Sequence, residues 1–91
     1  MFTIVFEGAF KSDLKRIIKR GASPSLMDVV LDYLETGQLL PAKHKNHRLS
    51  GNYSGFWECH VKPDWLLIYW IDETEKIVYL SRTGTHSDLF K

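Results

Sequence analysis

Seven consecutive apolar residues, Trp65-Leu66-Leu67-Ile68-Tyr69-Trp70-Ile71, constrain the fold more than any other stretch. The run is far shorter than the ~20 residues that span a bilayer and shorter than an ordinary buried helix. Successive residues of a strand point to opposite faces, so a strand with no polar face needs cover on both sides and belongs at the centre of a sheet. Turn residues bracket it: Lys62-Pro63-Asp64 before and Asp72-Glu73-Thr74-Glu75-Lys76 after, which makes hairpins with a strand on each side. In the preceding strand, 56–61, Phe56, Glu58 and His60 share one face, while Trp57, Cys59 and Val61 share the other. The following strand covers 77–82.

The N-terminal half is helical after one short strand. Residues 2–6, Phe-Thr-Ile-Val-Phe, are β-branched and aromatic. Phe10, Leu14, Ile17 and Ile18 then form one apolar stripe between lysines and arginines, and Gly21 is placed to stop that helix. Ser23-Pro24 opens a second helix as cap and first-turn proline. Its stripe is Leu26, Val30, Tyr33 and Leu34, and it ends at Gly37. Residues 38–55 are irregular, punctuated by Pro41, Asn46, Gly51, Asn52 and Gly55, with a short strand expected to begin at Leu49. At the far end Thr85 and Asp88 have capping-box spacing. The order is β-α-α-β-β-β. It predicts an α+β fold: an antiparallel sheet packed on an N-terminal helical hairpin, in a single domain over 1–91.

Composition narrows the function classes. With 44% hydrophobic and 25% charged residues the chain reads as globular, and 91 residues leave no room for a second core. One cysteine, Cys59, allows no internal disulfide, which fits a reducing cytosol. The N-terminus lacks the basic and apolar regions of a signal peptide, so a soluble, cytoplasmic protein with no membrane partner is expected. The formal net charge is only +1, but Lys43, Lys45 and Arg48 fall within six residues, interleaved with His44 and His47. A local basic loop can meet phosphate on a nearly neutral molecule.

All four histidines lie in two stretches, 43–65 and 82–90. Histidine exchanges protons near neutral pH. His60 and Asp64 flank one hairpin turn and can set each other's protonation state, although an Asp in a Pro-Asp turn ordinarily just caps it. A zinc site is disfavoured. Cys59 and His60, as strand neighbours, face opposite ways, and no second cysteine is present. Cys59 alternates with core positions and reads as an inert buried thiol. Arg82-Thr83-Gly84-Thr85-His86 places a phosphate-binding arginine just before a histidine at a strand end. Together these residues suggest acid–base chemistry on a phosphate ester.

Pro41-Ala42, His47-x-Leu49-x-Gly51, His60-Val61-x-Pro63-Asp64-Trp65-x-Leu67-Ile68-Tyr69 and Arg82-Thr83-Gly84-Thr85-His86 with Leu89-Phe90 resemble YafQ-type toxins of the RelE/ParE superfamily, along the whole chain. The resemblance implies a RelE-like fold and a ribosome-dependent mRNA interferase. Such an enzyme cuts mRNA in the A site of the 70S ribosome, inhibits translation and is held inactive by a cognate DinJ- or RelB-like antitoxin. It also implies that His47, His60, Asp64 and His86 form a catalytic set, with Arg82, Trp65 and Phe90 contacting substrate. Lys45 and Arg48 join them as basic residues of the His47 loop. No cofactor and no metal is expected. The 2′-hydroxyl would attack the adjacent phosphate, with His86 as acid, His47 or His60 as base, Asp64 orienting the pair and Arg82 stabilising the phosphorane. Trp65 and Phe90 would stack on bases or shape the pocket. Competing expectations are a ParE-like gyrase poison, a catalytically inactive RNA-binding module on the same scaffold, and a metal-binding protein using His44, His47 and His60.

Overall fold

The computed structural model describes residues 1–90. Strand β1 (Thr3–Phe6) leads into helices α1 (Gly8–Lys19) and α2 (Pro24–Thr36). Short 3₁₀ turns at Ala42–His44 and Gly51–Tyr53 flank the two-residue strand β2 (His47–Arg48). Strands β3 (Trp57–Lys62), β4 (Trp65–Asp72) and β5 (Ile77–Gly84) follow as hairpins, and a single-turn helix α3 (His86–Leu89) ends the chain.

The five strands lie in the order β1-β5-β4-β3-β2. The apolar run is the central strand, as its pattern predicts. The sheet is mixed rather than wholly antiparallel, because β1 pairs β5 in parallel while every other pair is antiparallel. The reason lies in the connection. β1 is separated from the hairpin strands by two helices, and a crossover of that length allows parallel entry at the sheet edge, which a tight turn does not. The short strand sits two residues earlier than expected, at His47–Arg48, although the Leu49 N–H still donates to the Phe56 carbonyl at 2.9 Å.

Cover on both faces of β4 comes from different parts of the chain. Phe10 and Ile17 of α1 and Met27, Val30 and Leu34 of α2 pack on Cys59, Val61, Trp65, Leu67, Tyr69, Val78 and Leu80. The opposite face is smaller: Leu66 and Ile68 lie under Leu89 of α3, with Leu49, Tyr53 and Phe56 around them. Fully burying each such side chain is worth about 1.5–3 kcal/mol. The α2 stripe is turned one residue from the expected one, since Met27 is buried and Leu26 exposed. Both sets have helical spacing, and packing against the sheet selects between them. Gly37 takes the left-handed C-cap conformation at φ 74°. Ser23 occupies the N-cap position, but its hydroxyl pairs with that of Ser25 rather than with the helix backbone.

Two β-bulges set which side chains reach the second face. Between β3 and β4 the partners run His60 with Leu66 and then Lys62 with Trp65, so Val61 is an extra residue. Between β4 and β5 they run Ile68 with Arg82 and then Tyr69 with Leu80, so Ser81 is extra. Cross-strand partners share a face. The Ser81 bulge therefore turns Arg82 to the side of Ile68 while Leu80 and Thr83 remain on the helix side.

Candidate active site

The face opposite α1 and α2 collects three of the four histidines. His47 comes from β2, His60 from β3 and His86 from the first residue of α3. Their rings form a row, with centroids 6.4 Å apart for His47 and His60 and 6.0 Å for His60 and His86. Local structure delivers each one. Cross-strand pairing sets His47 opposite Glu58, two-residue alternation carries Glu58 and His60 to the same side, and the capping box at Thr85 and Asp88 starts α3 at His86.

Each ring is held through the same nitrogen. The Nδ1 of His47 lies 2.7 Å from the Lys45 carbonyl, that of His60 3.1 Å from the Pro63 carbonyl, and that of His86 2.7 Å from Asp64 Oδ1. A carbonyl or carboxylate only accepts, so in each case Nδ1–H donates and Nε2 is left to exchange a proton. Two of these free nitrogens meet one carboxylate. Glu58 Oε1 is 3.3 Å from His47 Nε2 and 3.7 Å from His60 Nε2. Glu58 is only 6% exposed. A buried carboxylate needs a partner, and an imidazole supplies one only while its Nε2 carries a proton.

Asp64 does more than close its turn. Its Oδ1 accepts the backbone N–H of His86 at 3.0 Å as well as Nδ1–H. These two donors hold its carboxyl below the usual carboxylate range, the backbone N–H contributing most. Asp64 therefore orients His86 alone. The expected pairing with His60 is absent, because the Pro63 carbonyl takes that ring's Nδ1–H.

The other expected residues divide. Phe90 is exposed and stands beside His86 at 6.5 Å and edge-on to Tyr53 at 5.7 Å, forming an aromatic wall at the end of the row. Arg82 reaches the same face but is tied to Asp13 of α1, Nε to Oδ2 at 2.6 Å and Nη2 to Oδ1 at 3.3 Å. That contact, first through its hydrogen bond, raises the guanidinium pKa further. The side chain remains 35% exposed. Asp13 Oδ2 also accepts the Thr83 N–H at 3.2 Å, beyond the point where β1 stops covering the edge of β5. Trp65 is 2% exposed. Its indole N–H donates to Thr83 Oγ1 at 2.9 Å, so it offers no face for stacking and instead braces β4 against β5 beneath the site. Arg48, opposite Trp57 in the β2–β3 register, lies over that indole with its guanidinium carbon 5.0 Å from the ring centroid, on the side away from the histidine row. Lys45 is exposed and contributes its carbonyl to His47. Cys59 is fully buried, and burial pushes its thiol up to about 12.

Glu58, Asp13 and Tyr53 had no expected role. Strand alternation already put Glu58 on the His60 face, whereas Asp13 and Tyr53 reach the site only through packing distant in sequence. Among the described residues no group of three or more His, Cys, Asp or Glu side chains is arranged to hold a metal ion. None of the described helices is long and apolar enough to cross a membrane.

Comparison with known proteins agrees with this fold. Residues 2–91 match the family described as "Bacterial toxin of type II toxin-antitoxin system, YafQ". The mRNA interferase toxin YafQ of Escherichia coli K12 is 38% identical over 88 residues, covering 96% of this chain and 94% of that protein. A metal-bound toxin from Helicobacter pylori superposes with a TM-score of 0.92 at 43% identity, covering 99% of this chain and 100% of that one. A chain of the E. coli DinJ–YafQ complex gives a TM-score of 0.89 at 34% identity, with both chains fully covered. A family match over essentially the whole length, with the same fold, means that this chain belongs to the YafQ family of bacterial type II toxin–antitoxin toxins.

Proposed function

We propose that the chain is a ribosome-dependent mRNA interferase that acts in the cytoplasm, cuts mRNA in the A site and is held inactive by a DinJ-like antitoxin. The relatives support the activity and the partner: one is an mRNA interferase toxin, and another is solved with DinJ. The observation that carries the chemistry is the row of three imidazoles, each fixed through Nδ1 so that proton exchange falls to Nε2.

RNA supplies its own nucleophile. His60, central in the row and backed by His47 and Glu58, takes the proton of the 2′-hydroxyl. The 2′-oxygen then bonds to phosphorus and the bond from phosphorus to the 5′-oxygen breaks, leaving a 2′,3′-cyclic phosphate. His86 gives its Nε2 proton to the departing 5′-oxygen, and Asp64 balances the imidazolium beforehand. Glu58 does the same for the charge gained by His60 or His47. Arg82 stabilises the phosphorane. Phe90 and Tyr53 hold a base against the row. Lys45 and Lys43 meet backbone phosphate.

No step is routed through a metal. The metal of the H. pylori toxin is a property of that protein, and among the described residues no group of three or more His, Cys, Asp or Glu is arranged to hold one. Cleavage is expected to survive chelator treatment of the toxin when the ribosomes keep their own Mg²⁺. Loss of activity restored by added metal would overturn this.

The test is cleavage in a purified translation system, with ends mapped by primer extension and His86→Ala alongside. Cuts within codons that require ribosomes and vanish in the variant are expected. Growth arrest without cuts would favour gyrase poisoning, and neither cuts nor arrest an inactive binding module.

A further inference from the structure

The fourth histidine stands outside the row. His44, in the 3₁₀ turn Ala42–His44, is 5% exposed. Its Nδ1 lies 2.7 Å from the backbone carbonyl of His60, and the carbonyl accepts, so Nδ1–H donates. Its Nε2 is buried and, among the described residues, has no partner. An unsatisfied buried nitrogen costs free energy, and an apolar ring of similar size would fill the same space without that cost. What the imidazole supplies and an apolar ring does not is the donor to His60.

We infer that His44 is a positioning residue for His60, an inference that rests on the proposed role of His60 in catalysis. His60 immediately precedes the extra residue Val61, where the β3 ladder is interrupted. An open surface pocket of about 310 Å³ adjoins this point, lined by His44 and His60 together with Leu26, Val29, Lys43 and Val61 among others. The His44 bond is the one side-chain hydrogen bond among the described residues that joins the 3₁₀ turn to β3, and it is shorter than the ring's own anchor, 2.7 Å against 3.1 Å. The same turn leads into His47, and Asn46 beyond it accepts a 2.5 Å hydrogen bond from the Tyr69 hydroxyl. The loop that carries His47 is therefore pinned to the bulge that carries His60 on one side and to the core on the other. Displacing a reacting group by about 1 Å can cost on the order of 10²-fold in rate.

The test compares His44→Phe, which keeps an aromatic ring and removes the donor, with His44→Asn, whose amide nitrogen stands near the place of Nδ1. Ribosome-dependent cleavage is measured per folded molecule, and the Cε1–H resonance of each histidine is followed by NMR. For His44→Phe a fall in kcat of about tenfold or more is expected, with KM nearly unchanged and the His60 resonance moved but not that of His86. His44→Asn should recover most of both. A folded His44→Phe protein with the parent's kcat and an unmoved His60 resonance would overturn the inference. Should that variant fail to fold, His44→Asn is compared with His44→Gln, whose amide reaches the Nε2 position instead; equal rates and equal His60 resonances would overturn it. If the parent itself cuts no RNA, the interferase reading fails, and the resonances alone still decide whether His44 positions His60.

Discussion

At the scale of the residue, this site is defined by which nitrogen of each histidine is already engaged. A ring whose Nδ1–H is committed to an acceptor holds its tautomer and aims Nε2. For His86 the acceptor is Asp64, and the pair sets two predictions. His86→Ala should lower cleavage by about 10²–10⁴-fold, the usual worth of a placed acid or base, measured by primer extension on a ribosome-bound message. Asp64→Asn should cost less, yet at least about tenfold, because an amide neither balances the imidazolium nor enforces the tautomer. The pH dependence has a definite sign. The folded-state pKa of Asp64 lies below its unfolded value of about 3.9. Its stabilising contacts are therefore complete above about pH 4 and are lost as pH falls through the lower folded value. A carboxyl NMR titration of Asp64 with its midpoint at or above about 3.9 would contradict this assignment.

At the scale of the element, the turn into α3 and the bulge in β5 decide where the chemistry faces. Gly84 has φ +153°, and a Cβ there would stand 2.9 Å from both Cβ and Oδ2 of Asp88. Asp88 completes the capping box with Thr85, and α3 begins at His86. Gly84→Ala should therefore destabilise by about 1–3 kcal/mol, the range for overpacking a close contact. Each kcal/mol is worth about 4–8 °C of Tm in a domain of this size, so a thermal melt checks it, and an unchanged Tm would show that α3 yields freely. Deleting Ser81 removes the extra residue, and plain alternation along β5 then keeps Leu80 on the helix side and Arg82 on the side of Ile68. That variant should keep cooperative unfolding in circular dichroism, losing the 2.8 Å hydrogen bond from Ser81 Oγ to Glu7 Oε1 but no core contact; loss of cooperativity would show that the fold requires the bulge itself.

At the scale of the whole molecule, ion pairs between chain ends hold the layers in register. Arg20 at the end of α1 grips Asp88 of α3 through two hydrogen bonds, 2.9 and 3.0 Å, across 68 residues of sequence. Asp13 does the same for Arg82 across 69. The Arg20 hydrogen bond, then that of the Thr85 N–H, keep the Asp88 carboxyl far below the usual carboxylate range. Its contribution is thus fully present above the unfolded value and disappears as pH falls through the folded one. Asp88→Asn should consequently narrow the stability difference between pH 7 and pH 3, measured by denaturant unfolding at both. A variant with the parent's full pH dependence would assign that dependence elsewhere.

Period and punctuation in the sequence already determined the elements. The seven-residue apolar run could only be a central strand, the two helical stripes needed a sheet to cover, and alternation placed Glu58 beside His60. These are local consequences of backbone geometry, with periods of 2 and 3.6 residues. Resemblance of the motifs to the YafQ family, rather than any local period, pointed to His47, His60, Asp64 and His86 as a set. Only the tertiary structure decided the rest: that Asp64 serves His86 and not His60, that Glu58 joins His47 to His60, that Trp65 is buried, that Arg82 is shared with Asp13 and that β1 runs parallel to β5. Each depends on a bulge, a crossover or a contact between residues far apart in the chain. Such features arise when particular faces pack, and no local period encodes them.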